Sequence, residues 1–352
     1  MEPKLGASLP VPVVQELAKE KLTTVPPRYV RPDQHQHTIL STLSSLPQLP
    51  VIDMHKLSDK CLMDSELQAL HKACQEWGFF QLINHGLDGA VVENMKLEVQ
   101  EFFNLPIEEK NKFKQEEGDL QGYGQAFVVS EEQKLDWGDM FFVDTSPTPR
   151  RRPHLIPKLP TAFRDAIDVY ASELKVLGMK ILKLMAKALD MKAEEMETLF
   201  TEGMQSMRMN YYPPCPQPEL VTGIYPHSDA VGLTILLQVN EMEGLQIKKD
   251  GVWISVSPLP NAFIVNVGDI LEIVTNGAYR SIEHRAIVNS IKERLSIATF
   301  LSPNLDGHLG PAATLVTPQT PAKFKTIGVT EYFKGLFSRE LAGKSYLDIM
   351  RI

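Results

Sequence analysis

The sequence predicts a mixed α and β protein: a helical N-terminal region, then a strand-rich core of sandwich or barrel type, then a C-terminal helix. Three observations lead there. Amphipathic helical spacing dominates the first 200 or so positions. From Met207 onward, short alternating or β-branched runs follow one another, bounded by Gly, Pro and Asn. Helices come first and strands later, without βαβ alternation, which argues against a Rossmann arrangement. Three regions are expected: 1–200, 201–305 and 306–352.

The elements follow in order. Val13–Lys21 is an isolated helical candidate, and the polar stretch after it carries His35 and His37, which read as loop residues rather than a metal pair. Leu49–Asp53 is expected to be a first short buried strand. Ser65–Trp77 places Leu67, Leu70, Cys74 and Trp77 at helical spacing and runs into a strand, Gly78–Gly86, closed by a turn. His85 in that turn has no carboxylate at metal spacing and is expected to bond backbone. Ala90–Phe103 forms a second amphipathic helix, ending before Pro106, and Glu108–Lys114 a short exposed one. Gly122-Tyr123-Gly124 interrupts the pattern, and Asp136–Val143 reads as a strand. The longest helix, Phe163–Leu189, has one continuous apolar stripe from Phe163 through Ile167, Tyr170, Leu174, Leu177, Ile181 and Leu184 to Ala188. In a chain of this size such a stripe packs on the domain's own sheet more often than on a second copy.

The strands expected in the second half are Met207–Tyr212, Gly232–Val239, Leu245–Lys248, Trp253–Ser255, Ala262–Val267, Arg280–Val288 and Arg294–Leu301. Gly268-Asp269 and Asn276-Gly277 are read as turns. Thr330–Phe337 is the last helix, followed by a polar tail.

Composition narrows the function. In 352 residues, 43% are apolar, enough for a sizeable core, and the net charge of −8 does not steer the chain toward nucleic acid. The one basic run, Arg150-Arg151-Arg152, lies among prolines and reads as a solvated loop. Three scattered cysteines, Cys61, Cys74 and Cys215, fit a reducing compartment and give neither a disulfide framework nor a C-x-x-C zinc site. The N-terminus lacks the unbroken apolar run of a signal peptide, and no stretch is long and apolar enough to span a membrane. The expectation is a cytoplasmic monomer with a small-molecule substrate, and no membrane or nucleic-acid partner.

Chemistry concentrates between Tyr225 and Phe300. His227 and Asp229 are two residues apart and would share a face of a strand. His284 follows in a later strand, and two imidazoles with one carboxylate are the ligand set of a mononuclear non-haem Fe(II) site with open positions. Arg294 and Ser296 repeat the two-residue spacing ten residues further on. An antiparallel hairpin turning near Ser290 would set His284 roughly opposite Ser296. The planar fork of Arg294 suits a carboxylate, Ser296 adds a donor, and the Tyr212 hydroxyl could complete an anion site. A zinc hydrolase with the same three ligands has no use for Arg294-x-Ser296. A non-catalytic jelly-roll binding protein would be expected to have lost a ligand.

These residues carry a family resemblance. L-P-V-I-D at 49–53, W-G-F-F-Q-L-I-N-H-G at 77–86, E-F-F-N-L-P at 101–106, M-N-Y-Y-P-P-C-P at 209–216 and H-S-D at 227–229 are among the matches. G-D-I-L-E-I-V-T-N-G at 268–277, Y-R-S-I-E-H-R at 279–285 and E-R-L-S-I-A-T-F at 293–300 complete them. Over nearly its whole length the chain resembles plant 2-oxoglutarate- and Fe(II)-dependent dioxygenases, in the senescence-related-gene-like branch near alkaloid O-demethylases. The resemblance implies a double-stranded β-helix (jelly-roll) core within 201–305. It implies Fe(II) on His227, Asp229 and His284, and the distal carboxylate of 2-oxoglutarate on Arg294, Ser296 and Tyr212 with Asn210 assisting. O2 would be consumed, with ascorbate as reductant. A C–H bond of a plant specialised metabolite, such as an alkaloid or flavonoid, would be oxidised as 2-oxoglutarate becomes succinate and CO2. At an O-methyl carbon the product would collapse to a free hydroxyl and formaldehyde. The family's substrate wall maps onto Phe127, Met140, Phe142 and Phe300, with the final helix around Phe333 as a lid. Met140 stands where some flavonoid-oxidising relatives carry an aromatic residue.

Overall fold

The computed structural model describes residues 6, 8–20, 22–31 and 48–352. His35 and His37 lie outside the described residues. Two sheets face each other. The larger has eight strands: β1 (Val51–Asp53), β2 (Phe79–Ile83), β3 (Gly122–Gly124), β4 (Asp139–Ser146), β5 (Met204–Tyr212), β7 (Leu233–Gln238), β10 (Phe263–Val267) and β12 (Arg294–Ser302). Their spatial order is β1-β2-β10-β7-β12-β5-β4-β3. The smaller sheet has β6 (Ile224–His227), β8 (Leu245–Lys249), β9 (Val252–Ser255) and β11 (His284–Ala286), in the order β6-β11-β8-β9. Apart from the β8–β9 hairpin, consecutive strands of the second half thus alternate between sheets, which is the jelly roll expected.

Helices cover the outer face of the large sheet. The long helix, Thr161–Ala188, buries Phe163, Ile167, Tyr170, Leu174, Leu177, Ile181 and Leu184 in the main core with Met207, Met209, Ile235, Val265 and Ile297. Its stripe therefore packs on the chain's own sheet. Period-two alternation gives β5 and β12 two unlike faces. Met207, Met209, Leu295 and Ile297 point into this core, whereas Arg208, Asn210, Arg294 and Ser296 point into a cavity between the sheets.

Several expectations are corrected. The hairpin between Ile282–Val288 and Arg294–Phe300 does not form. Asn289 accepts the Ile291 and Lys292 N–H groups at 2.7 and 2.9 Å, and this turn carries the chain from one sheet to the other. β11 pairs with β6 and β8, so His284 lies opposite His227 rather than Ser296. Gly268-Asp269 is not a turn but the start of a helix, Asp269–Val274, buried throughout. Gly122–Gly124 is a strand paired with β4. Val51 is exposed, since β1 is an edge strand and buries only Ile52. The segment after Pro106 is not wholly exposed: Lys110 is fully buried, its Nζ bonding Phe103 O at 3.0 Å and the Gln15 side chain. The tail after Phe337 is not merely polar, because a further short helix, Ser345–Ile349, buries Leu347 and the following Met350 in the core.

Candidate active site

The small sheet supplies two imidazoles. His227 ends β6 and His284 opens β11, directly opposite, with ring centroids 4.3 Å apart. Each ring is oriented by a main-chain carbonyl: His227 Nδ1–H donates to Tyr225 O at 2.7 Å and His284 Nδ1–H to Ile282 O at 3.2 Å. A carbonyl only accepts, so the two Nε2 lone pairs are left free, both aimed at Asp229 Oδ1 from 3.5 and 3.6 Å. Asp229 lies beyond the end of β6, not on the strand as expected, but its carboxylate still joins the cluster. Oδ2 is held from the large sheet by Thr234 Oγ1 at 2.7 Å and Asn266 Nδ2 at 2.9 Å.

Electrostatics match a cation site. Burial pushes the His284 imidazole down to about 4, so it is neutral and able to ligate at physiological pH. Burial alone would raise the Asp229 carboxyl, but the two imidazoles and the Thr234 hydroxyl outweigh it and hold the group well below the usual carboxylate range. The ligand atoms of His227, Asp229 and His284 all lie within 4.8 Å of one another. Two imidazole nitrogens and a carboxylate oxygen, converging on one side of a cavity, fit Fe(II) with coordination positions left over.

Along the large sheet, Arg294 pairs in register with Tyr212, and Ser296 with Asn210. The Arg294 guanidinium sits 5.4 Å over the Tyr212 ring and its Nη1 is 3.5 Å from Ser296 Oγ; Asn210 Nδ2 reaches the same hydroxyl at 3.5 Å. Arg294 is 2% exposed and its Nε has no hydrogen-bond partner among the described residues. A buried cation with unused donors is costly unless an anion joins it. All four residues line the same cavity as the cluster of His227, Asp229 and His284.

Phe127, Met140, Phe142, Phe300 and Phe333 also line that cavity. Phe127 holds a backbone φ of +63°, rare for a bulky residue, and stacks on Phe337 at 5.4 Å. Phe337 was missed, although it stands four residues after Phe333 and so on the same helical face. His85 behaves as expected, its Nδ1 accepting Leu87 N–H at 3.2 Å. Arg150–Arg152 is not a solvated loop. Arg150 Nε pairs with Asp144 at 3.0 Å, Arg151 with Asp168 at 2.7 Å, and Arg152 with Asp119, while Arg150 and Arg152 reach the cavity. Asp144, Ser206 and Arg208 are further cavity residues missed in the sequence. Each continues the period-two series of a residue already singled out, from Met140 and Phe142 on β4 and from Tyr212 and Asn210 on β5.

A jelly roll that points such a nitrogen-and-carboxylate cluster at an arginine-floored cavity defines a non-haem iron oxygenase fed by an anionic co-substrate. Comparison with known proteins agrees. Residues 203–303 match the 2OG-Fe(II) oxygenase superfamily, and residues 49–160 match the non-haem dioxygenase in morphine synthesis N-terminal region. The chain belongs to the 2OG-Fe(II) oxygenase superfamily. It is 64% identical over 348 residues to oxoglutarate-dependent flavonoid 7-O-demethylase 1 of Ocimum basilicum, covering 99% of this chain and 93% of that protein. It is 52% identical to thebaine 6-O-demethylase of Papaver somniferum, covering 99% and 98%. A crystal structure of JOX2 in complex with 2OG, Fe and JA superposes with a TM-score of 0.87 at 34% identity, covering 98% of each chain. The protein is thus a 2-oxoglutarate-dependent dioxygenase, an oxidoreductase that uses Fe(II), 2-oxoglutarate and O2 on a small-molecule substrate. The zinc-hydrolase and non-catalytic alternatives fall away. Among the described residues no helix is long and apolar enough to cross a membrane.

Proposed function

We propose that this dioxygenase removes a methyl group from a methoxylated aromatic plant metabolite of the flavonoid class. His227, Asp229 and His284 are the iron ligands. Arg294, Ser296 and Tyr212 anchor the distal carboxylate of 2-oxoglutarate, and Asn210 fixes the Ser296 hydroxyl. With both bound, one oxygen atom of O2 goes to the methyl carbon, which leaves as formaldehyde, and the other to 2-oxoglutarate, which leaves as succinate and CO2.

The observation that carries the reading is the character of the one cavity shared by these residues. Phe127, Phe142, Phe300, Phe333 and Phe337 give it flat aromatic walls, suited to stacking a planar substrate. Its charged residues favour a neutral or phenolic molecule over a protonated amine. Arg150 and Arg152 are balanced by Asp144 and Asp119, while Arg208 bonds Asn210 Oδ1 at 2.7 Å and has no acidic partner among the described residues. An alkaloid ammonium would meet that excess positive charge. This weighs against the alkaloid reading suggested by the Papaver relative, and the flavonoid 7-O-demethylase similarity weighs the same way.

In this reading the enzyme works as a cytoplasmic monomer without nucleic-acid partners, built as an N-terminal region (1–200), a co-substrate-binding core (201–305) and a closing segment (306–352). Light scattering on the purified protein tests the monomer. The reaction is tested by incubating the enzyme with Fe(II), 2-oxoglutarate, ascorbate and a 7-methoxyflavone. Formaldehyde and succinate should appear in equal amounts with the free phenol. Succinate without formaldehyde across a panel of methoxyflavones, or demethylation confined to alkaloids, would sink the proposal.

A further inference from the structure

The paired registers of the large sheet align one transverse row of cavity-facing residues. Asn266 on β10 pairs with Thr234 on β7, Thr234 with Phe300 on β12, Phe300 with Ser206 on β5, and Ser206 with Asp144 on β4. All five line the cavity. At one end Asn266 and Thr234 grip the carboxylate of Asp229. At the other end stands a second carboxylate, Asp144, three inter-strand spacings from Thr234, or about 14 Å along the sheet. Phe300 occupies the middle.

Asp144 is held as a rigid acceptor. Arg150 Nε and Gln121 Nε2 donate to the same oxygen, Oδ2, at 3.0 and 3.1 Å, while Gln121 Oε1 accepts the Asp144 N–H at 3.0 Å. Oδ1 accepts no hydrogen bond among the described residues. Arg150 and Gln121 are themselves buried, so the three cannot swing away. Burial raises the Asp144 carboxyl to about 6, against the pull of Arg150, and it is therefore largely ionised at neutral pH. The Arg150 pair cancels its charge locally, which suits a neutral O–H donor better than a cation.

We propose that Asp144 is a specificity-determining residue of this site, accepting a hydrogen bond from a hydroxyl at the end of the substrate far from the oxidised methyl. Arg150 and Gln121 are positioning residues that aim its free oxygen. The proposal rests on the demethylase reading for which end of the substrate reacts, and it adds what the other end must carry. The substrate spans the row, its reacting methyl near Asp229, its ring on Phe300 and its hydroxyl at Asp144.

The test is a binding measurement, so that it does not depend on turnover. Two probes are compared on enzyme loaded with 2-oxoglutarate and Mn(II) without O2: a 7-methoxyflavone with a hydroxyl at the far end of its B ring, and the same flavone with hydrogen there. A charge-assisted hydrogen bond in a buried site predicts at least tenfold tighter binding of the hydroxylated probe. Asp144→Asn still offers one oxygen to Arg150 and Gln121 but turns a donor toward the cavity. It should bring the two probes within about threefold of each other, with binding of the unhydroxylated probe little changed and a lowered thermal midpoint, since Arg150 loses its buried counter-charge. Gln121→Met, which removes the donor to Oδ2 without adding a charge, should weaken the preference without abolishing it. Equal binding of the two probes by the unaltered enzyme, binding of neither, or an equal loss for both in Asp144→Asn overturns the proposal. An intact preference without formaldehyde release in the aerobic iron enzyme would instead count against the demethylation reading alone.

Discussion

Arg294 gathers most of the predictive weight at the scale of single residues. Buried, with an unpartnered Nε among the described residues and beside the Ser296 hydroxyl, it is built for an anion. Losing a bidentate, charge-assisted contact costs about 1.5–3 kcal/mol. Arg294→Ala should raise the apparent KM for 2-oxoglutarate at least tenfold, and initial rates at varied co-substrate check this; an unchanged KM would reassign the anchor. The Asp229 carboxylate, the proposed ligand, is held by two neighbours that offered no sequence signal. Thr234→Val keeps the shape but removes one of the two donors to Oδ2. Loss of such a supporting contact typically weakens metal affinity about 10–100-fold. Calorimetric titration with Mn(II) should find that loss while the fold survives. That Arg294 and Ser296 share a face was legible because two-residue spacing on a strand fixes it, whereas Asp229, past the end of β6, joins His227 through the loop that follows. The Thr234 and Asn266 contacts were not legible, because they depend on how the loop carrying Asp229 folds over the paired strands β7 and β10, which leaves no periodic spacing to read.

At the scale of elements, what could be read depended on whether the pattern was local. The long helix was legible from its stripe alone, since period 3.6 records which side is buried. Strand pairing was not. His284 and Ser296 sit on strands adjacent in sequence, and the short turn between them suggested a hairpin, yet each strand finds better partners in its own sheet. The Asp269–Val274 helix was hidden for a related reason: all six of its residues are buried, so it lacks the amphipathic contrast by which helices are read. Gly268 at its start shows why the local sequence matters. A Cβ there would lie 2.1 Å from Val231 O and 2.9 Å from Asp229 O, inside the loop that presents the Asp229 ligand. The same junction is tied by Asp269 N–H to Asp229 O at 2.7 Å. Gly268→Ala should therefore lower both the thermal midpoint and the affinity for Mn(II), because the backbone can yield only by moving that ligand. A variant with lowered stability but unaltered metal affinity would show that the loop adjusts elsewhere.

For the molecule as a whole, the chain's last segment closes the cavity and is tied to its metal end. The helix Val329–Phe337 supplies Phe333 and Phe337 to the cavity wall, and Leu341 extends it. Gly343 then runs beside β6: its N–H donates to Pro226 O at 2.9 Å and its carbonyl accepts Ser228 N–H at 3.1 Å, bracketing His227. Lys344 locks this strap, its Nζ bonding Glu272 Oε2 at 2.8 Å and Ser281 O at 2.6 Å, while Arg351 takes the other Glu272 oxygen at 2.9 Å. Glu272 is 4% exposed, so its pairing is desolvated and its loss is felt. Lys344→Met keeps most of the side chain's bulk and leaves Arg351 in place, so the structure should persist at a cost of about 1–3 kcal/mol. The strap's hold on β6 should loosen with it. Weaker Mn(II) binding and weaker binding of a flavone probe are expected together, since the same segment borders both. Arg351→Met removes a more exposed partner of the same carboxylate, farther from Gly343, and should lower stability with little effect on the metal. If Lys344→Met and Arg351→Met shift stability alike and neither changes metal affinity, the strap is a fastening of the fold only. If metal affinity falls in Lys344→Met alone, closure of the cavity and placement of His227 are one event.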